Sequence, residues 1–211
     1  MKEPIILLGG GGHCKSCIDV IEQEGKYEII GITDLTDKIG QSMAGYPVIG
    51  TDKDLPELKK KCNNFLVTVG HIQSPGVRLK LFELLKELAV NIPVIISPHA
   101  IVSRQAKIGS GTIVMHNAVV NTEAIIGENC ILNTGGLVEH ESNVGSHCHI
   151  STYAIVNGQC QVGSGCFIGS HTVMANNISI PANTLVAAGS VILRSLEKSG
   201  TYIGNPLRKI R

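Results

Sequence analysis

Aliphatic residues recur at every sixth position through the C-terminal half of the chain. The series begins at Ile96, ends at Ile192 and holds an apolar residue at all seventeen positions without a change of phase. A second column, four residues after the first, consists mostly of small residues such as Ala118, Cys148 and Ala154. A period of six fits neither an α-helix nor an alternating strand. It predicts a prism in which each hexad forms one flat face and its aliphatic residue fills the interior.

The first 92 residues follow a different pattern, in which short apolar segments alternate with helical ones. The predicted strands are Ile5 to Leu8, Tyr27 to Thr33 and Phe65 to Val69, and the predicted helices are Cys14 to Glu24, Leu55 to Cys62 and Val77 to Ala89. This alternation predicts a small parallel α/β domain. We therefore expect an α/β, Rossmann-like domain over residues 1–92, and a β-helix with a C-terminal tail over residues 93–211.

Composition excludes several classes of partner. The chain has 18 basic and 17 acidic residues, a net charge of +1 and no long run of either sign, which argues against nucleic acid because phosphate neutralisation needs clustered Lys and Arg. No apolar stretch approaches the roughly 20 residues of a membrane helix, and no signal-peptide pattern opens the sequence. We expect a cytoplasmic protein with no membrane partner.

Seven cysteines are expected to be free thiols in that compartment. Only Cys14 and Cys17 are close in sequence, and no second pair completes a zinc site, so we expect no metal. Four others occupy the small interior column of the repeat, where a thiol is inert rather than nucleophilic. These four are Cys130, Cys148, Cys160 and Cys166.

A glycine-rich turn follows the first strand. Gly9 to Gly12 precede His13 and the first helix, so that backbone N–H groups at Gly10, Gly11 and Gly12 are expected to face an anion. Asp34 ends the second strand, where such folds bind a ribose. A third glycine of the dinucleotide motif is replaced by Cys14 and the domain is short, which favours one nucleoside diphosphate over NAD. A turn that binds no ligand is the alternative.

Together these features resemble one family in particular. A small α/β domain with Gly-Gly-His-x-Lys at residues 11–15 leads directly into uninterrupted hexads, with the segment Leu132 to Glu141 and the ending Tyr202 to Pro206. The chain resembles the bacterial sugar acetyltransferases of surface-glycan synthesis. These comprise N-acetyltransferases of nucleotide-linked amino sugars and related sialic acid O-acetyltransferases. The resemblance implies a left-handed parallel β-helix of hexapeptide repeats, with acetyl-CoA as co-substrate.

His140 is the strongest candidate for a catalytic base. It lies two residues after the interior Val138 and should point outward, between Glu139 and Glu141, and a carboxylate can orient an imidazole and raise its basicity. One coil later, Gly158 leaves open space against His140. The resemblance implies that His140 is the general base and that Glu141 assists it. Outward histidines without an adjacent carboxylate, such as His116, are expected to be solvated or stacked between coils.

The resemblance assigns the remaining site residues. It places Asn133, His149, Gly158 and Ala188 at the coenzyme, and His13, Asp34 and Gly70 at the nucleotide sugar. His149 lies nine residues from His140 and so on another face of the prism, which favours a homotrimer with sites between subunits. Cations of the tail could meet the coenzyme phosphates or be solvated, namely Arg208, Lys209 and Arg211.

The loop after Gly70 departs from the family pattern. The family commonly has Gly-Asn and then an arginine, whereas Gly70-His71 is followed here by a longer stretch that contains Pro75 before Arg78.

The function expected first is N-acetylation of a UDP-type 4-amino-deoxy sugar by direct transfer in a ternary complex. O-acetylation of a sialic acid or related nonulosonic acid is the second alternative. A non-catalytic hexapeptide scaffold is the third.

Overall fold

A five-stranded sheet with helices on both faces forms the first part of the chain. The computed structural model describes residues 2–205 and 207–210. The elements of this part are β1 (Glu3–Leu8), α1 (Gly12–Glu24), β2 (Tyr27–Thr33), β3 (Ser42–Met43), β4 (Tyr46–Gly50), α2 (Leu55–Leu58), β5 (Asn64–Val67) and α3 (Gly76–Glu87), with 3-10 turns at Thr36–Lys38 and Asp52–Asp54. The strand order is β3-β4-β2-β1-β5, and every pairing is parallel except the β3–β4 hairpin.

Side chains of β1 alternate between the two faces of this sheet. Ile5 and Leu7 belong to the cluster around α1, whereas Ile6 and Leu8 pack with residues of α2 and α3. β1 pairs with β2 on one side and with β5 on the other. The strand order therefore reverses at β1, and α/β sheets bind ligands in the crevice beyond the carboxyl ends of strands at such a point.

A parallel β-helix of seventeen two-residue strands forms the second part. One sheet, here called the apolar sheet, contains β7 (Ile101–Val102), β10 (Val119–Val120), β13 (Leu137–Val138), β16 (Ile155–Val156), β19 (Val173–Met174) and β22 (Val191–Ile192). The polar sheet contains β8 (Lys107–Ile108), β11 (Ile125–Ile126), β14 (Asn143–Val144), β17 (Gln161–Val162) and β20 (Ser179–Ile180). The covered sheet contains β6 (Ile95–Ile96), β9 (Ile113–Val114), β12 (Ile131–Leu132), β15 (His149–Ile150), β18 (Phe167–Ile168) and β21 (Leu185–Val186), and continues into β23 (Thr201–Gly204) and β24 (Leu207–Lys209).

The register repeats every 18 residues, as in the pairing of Val119 with Leu137. The second residue of each of the seventeen strands is the aliphatic residue of the six-residue series. From Val114 onward these residues are buried, while Ile96, Val102 and Ile108 in the first coils are partly buried. The predicted prism is confirmed, with three hexads in each coil.

The outer surfaces of the three sheets differ. Ile95, Ile113 and Ile131 on the covered sheet pack against α1 in one buried cluster. The polar sheet presents Lys107, Ile125, Asn143, Gln161 and Ser179. The outer positions of the apolar sheet are all aliphatic and all at least partly exposed, namely Ile101, Val119, Leu137, Ile155, Val173 and Val191. One whole face of the prism is thus apolar and uncovered.

Elements of the α/β part mostly follow the sequence prediction. The β2 prediction is confirmed residue for residue, and β1, α1, β5 and α3 differ from theirs by one or two residues at most ends. The helix expected from Leu55 to Cys62 ends at Leu58, because Lys59 to Lys61 continue as turns. The hairpin of β3 and β4 was not predicted. No described helix is long and apolar enough to cross a membrane.

Candidate active site

Four consecutive glycines connect β1 to α1, and the first two have structural reasons to be glycine. Gly9 has φ +99°, and a Cβ there would overlap Val69 Cγ2. A Cβ on Gly10 would lie 2.7 Å from Asp34 Oδ2, the atom that accepts a hydrogen bond from Gly10 N at 2.9 Å. Gly10 is buried and its N–H is already used. It therefore holds Asp34 in place rather than facing the cavity.

The next two glycines face open space. No atom lies within 4 Å of a Cβ built on Gly11 or Gly12. Gly11 is the N-cap of α1 and makes no side-chain cap, so the first N–H groups of the helix stay available. A helix N-terminus with free N–H groups and no side chains in front of it suits a phosphate.

A cavity of about 730 Å³ lies in front of these glycines, between the α/β part and the covered sheet. Residues predicted for the sugar nucleotide and for the coenzyme meet in it, namely Gly11, Gly12, His13, Gly70, Asn133 and His149. We call it the central cavity. Gly70 permits this arrangement, because a Cβ there would lie 3.2 Å from His13 Cβ.

Three histidines of the central cavity are neutral at physiological pH. Burial, followed by the charge of Arg78, lowers the pKa of His13 to about 3. Burial also lowers the pKa of His71 to about 4 and that of His149 to about 4. Within the described part of the chain, the buried Nε2 of His13 has no hydrogen-bond partner. A buried polar atom without a partner on the wall of a cavity is suited to meet a polar ligand.

The tautomer of His149 follows from its neighbours. Nδ1 lies 2.8 Å from the carbonyl oxygen of His71, which can only accept, so Nδ1 carries the proton. Nε2 then accepts a hydrogen bond from Asn133 Nδ2 at 3.1 Å. Asn133 Oδ1 accepts from Thr134 N, which fixes the orientation of the amide. The loop of the α/β part thereby orients two residues of the β-helix.

His140, Glu141 and Gly158 form a second cluster, at the edge between the apolar and polar sheets. His140 Nδ1 donates to Glu141 Oε2 at 3.2 Å, and Gln159 Nε2 donates to the same oxygen at 3.0 Å. These hydrogen bonds, that from Gln159 first, lower the pKa of the Glu141 carboxyl. Nε2 of His140 points over Gly158, where a Cβ would lie only 2.6 Å away. The imidazole is thus oriented at one nitrogen and open at the other.

The structure also distinguishes the two glutamates beside His140. Glu139 Oε2 accepts from Asn121 Nδ2 at 2.8 Å and from the backbone N of His140 at 3.2 Å. Glu139 therefore supports the backbone of the corner, while Glu141 contacts the imidazole ring. This is the arrangement expected if Glu141 assists the base.

Within one chain, the central cavity with Asn133 and the cluster around His140 lie at opposite edges of the apolar sheet. Asn133 follows β12, at the edge between the covered and apolar sheets, whereas His140 follows β13, at the far edge of the apolar sheet. Neither His140 nor Glu141 lines the central cavity. Ala188 is exposed on the same edge as Asn133, three coils nearer the C-terminus.

Arg78 joins the two parts of the chain and was not predicted as a site residue. It is fully buried, and its guanidinium donates to the carbonyl oxygens of Val67 and Val69 and to those of Gly111 and Asn129 in the β-helix. Burial lowers its pKa to about 10, so it stays charged. Its contacts fix the end of β5 and therefore the position of Gly70 and His71. All four partners of Arg78 are backbone carbonyl oxygens, which every residue has, so no sequence pattern indicates this role.

A second cavity of about 350 Å³ lies beyond Asp34, and we call it the outer cavity. The ends of β2 and β4 and one side of α3 surround it, through residues that include Thr33, Asp34, Leu35, Asp52, Val77 and Lys80. Asp34 and Asp52 are far apart in the sequence, and only Asp34 was predicted to be a site residue.

Among the tail cations, Arg211 and the side chain of Arg208 lie outside the described residues, and Lys209 is exposed beside Arg194 and Lys198.

Comparisons with known proteins agree with this architecture. The model of the PglD N-terminal domain matches residues 4–85, and the model of the GMPPB C-terminal domain matches residues 90–199. PerB from Caulobacter crescentus, solved in complex with CoA and GDP-perosamine, is 30% identical over 99% of this chain and 97% of its own, with a TM-score of 0.92. The chain belongs to the bacterial hexapeptide-repeat sugar acetyltransferases.

Two further solved structures support the same family. The acetyltransferase domain of PglB from Neisseria gonorrhoeae, in complex with acetyl coenzyme A, is 29% identical, with full coverage of both chains and a TM-score of 0.92. A histidine-to-asparagine variant of perosamine N-acetyltransferase from Caulobacter crescentus is 29% identical over 99% of this chain and 97% of its own, also with a TM-score of 0.92. A search of curated protein sequences gave no match. This sugar acetyltransferase therefore has the left-handed β-helix that its family resemblance implied, and it is an enzyme.

Proposed function

We propose that this enzyme transfers acetyl from acetyl-CoA to the amino group of a nucleotide-linked 4-amino-deoxy sugar in the cytoplasm. The observation that carries the proposal is the His140 cluster, in which Glu141 holds Nδ1 and Nε2 is free over Gly158. Solved relatives bind acetyl coenzyme A in one case and CoA with GDP-perosamine in another. Acetyl-CoA is accordingly the co-substrate, and a nucleotide sugar is the acceptor.

The central cavity supports the acceptor assignment. A diphosphate would lie on the open N–H groups at Gly11 and Gly12, which the helix dipole of α1 makes attractive to an anion. His13 and Gly70 would then border the sugar, and the free Nε2 of His13 would face its polar groups. The neutral state of His13 matters here, because it allows the ring to accept or donate one hydrogen bond.

The apolar sheet supports a homotrimer with sites between subunits. Six aliphatic side chains form its outer surface, and contiguous apolar surface of this kind marks an association site. The central cavity lies at one edge of that sheet and His140 at the other. Rotation about a threefold axis would place the His140 edge of one copy against the cavity edge of the next. The occupant we assign to the apolar sheet is therefore a second copy of this chain.

In the reaction, the neutral sugar amine attacks the thioester carbonyl carbon of acetyl-CoA, and a C–N bond forms. His140 Nε2 accepts the proton released from the attacking nitrogen, and Glu141 stabilises the resulting imidazolium through Nδ1. The tetrahedral intermediate collapses as the C–S bond breaks, and the CoA thiolate takes the proton from His140. Asn133 contributes a second amide hydrogen that can donate to the developing oxyanion.

Free-thiol release from acetyl-CoA, measured against 4-amino-deoxy sugars linked to UDP, GDP and dTDP and against free sialic acid, tests this function. We expect turnover with a nucleotide amino sugar and a fall of about 10²- to 10⁴-fold in His140→Ala, the usual contribution of a general base. His99→Ala changes an exposed histidine about two coils before Asn133, away from the proposed coenzyme residues, and it is the matched control.

Each outcome of that assay has a definite meaning. Turnover with sialic acid alone would replace the proposal with the O-acetyltransferase alternative. Full activity in His140→Ala would remove the base assignment even if the sugar were correct. Turnover with no acceptor in the panel would contradict the proposed function as a whole.

A further inference from the structure

Thr33 has a buried hydroxyl without a partner in the outer cavity. Its side chain is completely buried at the end of β2, and Oγ1 has no hydrogen-bond partner among the described residues. Asp34, the next residue, has both carboxylate oxygens engaged by backbone N–H groups of Gly10 and Leu35. A cavity with an unpaired hydroxyl on its inner wall is suited to a polar ligand.

The rim of the outer cavity is apolar. Leu35 is 68% exposed and Val77 is 65% exposed, and both line the cavity. They come from different elements, since Leu35 follows β2 and Val77 lies in the first turn of α3. Exposed aliphatic side chains at the mouth of a cleft favour a ligand with flat apolar faces, and a nucleobase has such faces.

Charged groups complete the outer cavity. Asp52 and Lys80 lie on its wall, and their charges are close enough to interact with each other and with Asp34. Partial burial, which is the main cause, and the charge of Asp34 raise the pKa of Asp52, whereas Lys80 lowers it. Asp52 makes no hydrogen bond with another described side chain, whereas its neighbour Asp54 is held by Thr51. The Asp52 carboxylate is thus free to accept hydrogen bonds from a ligand.

We propose that the outer cavity holds the base of the nucleotide sugar and that Asp52 selects guanine. The inference rests on the proposed function, because it assigns the base of the same acceptor. A diphosphate at Gly11 and a ribose at Asp34 direct the base past Asp34 and into this cavity.

Hydrogen-bonding patterns of the bases favour guanine at a carboxylate. Guanine offers two adjacent donors, N1–H and the N2 amino group, which match the two oxygens of Asp52. Uracil offers a single N3–H between two carbonyl oxygens, which a carboxylate repels. Lys80 can donate to guanine O6. The inference therefore favours a GDP-linked acceptor over the UDP-type acceptor expected from the sequence.

Calorimetric binding of GDP, IDP and UDP to the whole protein tests this selection without acetyl transfer. IDP lacks only the N2 amino group of guanine. We expect GDP to bind about 10-fold or more tightly than IDP or UDP, as a charge-assisted pair of hydrogen bonds gives. Asp52→Asn should remove most of the difference between GDP and IDP. Asp37→Asn, which changes an exposed carboxylate outside the cavity, should preserve it.

Equal affinity of the wild-type protein for GDP and IDP would overturn the proposal, and so would tighter binding of UDP. A uniform loss of affinity for all three diphosphates in Asp52→Asn would also overturn it. Such a pattern would mean that Asp52 acts through its charge and not through hydrogen bonds to guanine. The wild-type comparison needs no variant to fold. Guanine selectivity without acetyl transfer would preserve this inference and contradict the proposed function, whereas acetyl transfer without selectivity would do the reverse.

Discussion

Gly158 occupies the position where any side chain would meet the ring of His140. A Cβ there would lie 2.6 Å from Nε2 and 2.7 Å from Cε1, and the backbone of Gly158 has no positive φ. Alanine therefore fits the backbone but displaces the imidazole, which is the mobile end of a flexible side chain. The residue fixes the position of the proposed base rather than the fold.

We predict that Gly158→Ala lowers kcat about 10²-fold, since a small displacement of a catalytic group has an effect of that size. The thermal midpoint should change little. Steady-state kinetics and thermal unfolding measure both quantities. Gly76→Ala, where a Cβ meets only Ser74 Oγ at 3.3 Å, is the control. A normal kcat in Gly158→Ala would show that His140 need not lie where it does.

His13 makes the stability of the protein depend on pH. Its pKa is lowered from 6.5 to about 3 in the folded state, chiefly by burial. Between these values the unfolded chain binds more protons than the folded one, so the free energy of unfolding rises with pH. Stability is lost as pH falls from 6.5 towards 3, by about 1.4 kcal/mol per pH unit for a fully titrating group.

His13→Gln is predicted to reduce this slope between pH 4 and 6.5. Denaturant unfolding at several pH values gives the slope directly, and acetyl-CoA binding at neutral pH checks that the variant is folded. An unchanged slope would mean that folding does not lower the pKa of His13.

Arg78 is the contact through which the α/β elements position the site. It connects the end of β5 to two coils of the β-helix through carbonyl oxygens alone. The planar guanidinium can satisfy four acceptors in different directions, and an ammonium group cannot do so with the same geometry. The element contact thus depends on arginine in particular.

Arg78→Lys is predicted to destabilise the protein by about 3 kcal/mol, the scale expected when a buried charged group loses partners. It should also weaken nucleotide binding, because the Gly70–His71 loop loses its support. Thermal unfolding and nucleotide titration measure the two effects. Arg104→Lys, at an exposed position of the β-helix, should change neither. An equal midpoint in both variants would contradict the role of Arg78.

The elements differ in how far the sequence predicts them. The hexads were predicted to their last position because interior packing repeats the same requirement in every coil. The β3–β4 hairpin has short strands around Ala44 and Gly45 with no hydrophobic period, so no pattern marked it. Side-chain contacts are harder to predict from the sequence, as His116 shows. It was expected to be solvated or stacked, yet its Nε2 lies 2.7 Å from Asp19 Oδ2 and its Nδ1 lies 2.6 Å from Ser97 Oγ. Such contacts between distant segments have no local signal.

The Ser97, His116 and Asp19 arrangement has the residue types of a hydrolase triad but not its accessibility. Ser97 is 1% exposed, and its Oγ also accepts a hydrogen bond from His99 N. A nucleophile needs an approach for the substrate, and this hydroxyl has none. The arrangement connects α1 to the β-helix. Residue types alone would have suggested the wrong chemistry.

At the scale of the whole molecule, our proposal makes the active site depend on the assembly of several subunits. The apolar sheet separates the central cavity from His140 in one chain, and our proposal brings them together between chains. A direct consequence is that two different inactive variants can restore each other's sites. In the proposed trimer, one subunit supplies His140 and the next supplies His149.

Mixing and refolding His140→Ala with His149→Ala is predicted to restore activity to roughly a quarter of the wild-type value at equal amounts, because each site draws its halves from two subunits. Thiol release measures the recovery. Leu137→Asp on the apolar sheet should dissociate the assembly in light scattering, while Asn143→Asp on the polar sheet should not. No recovery on mixing would place both histidines of a site in one chain.

The constant spacing of 18 residues between paired strands has a consequence for co-translational folding on the ribosome. Each new coil pairs only with the coil synthesised just before it, so growth needs no segment that is still to be translated. The α/β part is made first, and its α1 covers the outer residues of β6, β9 and β12, the earliest strands of the covered sheet. A finished surface is thus available as the template on which the first coil forms. The β-helix can therefore fold sequentially from its N-terminal end, one coil at a time, while the chain is being synthesised.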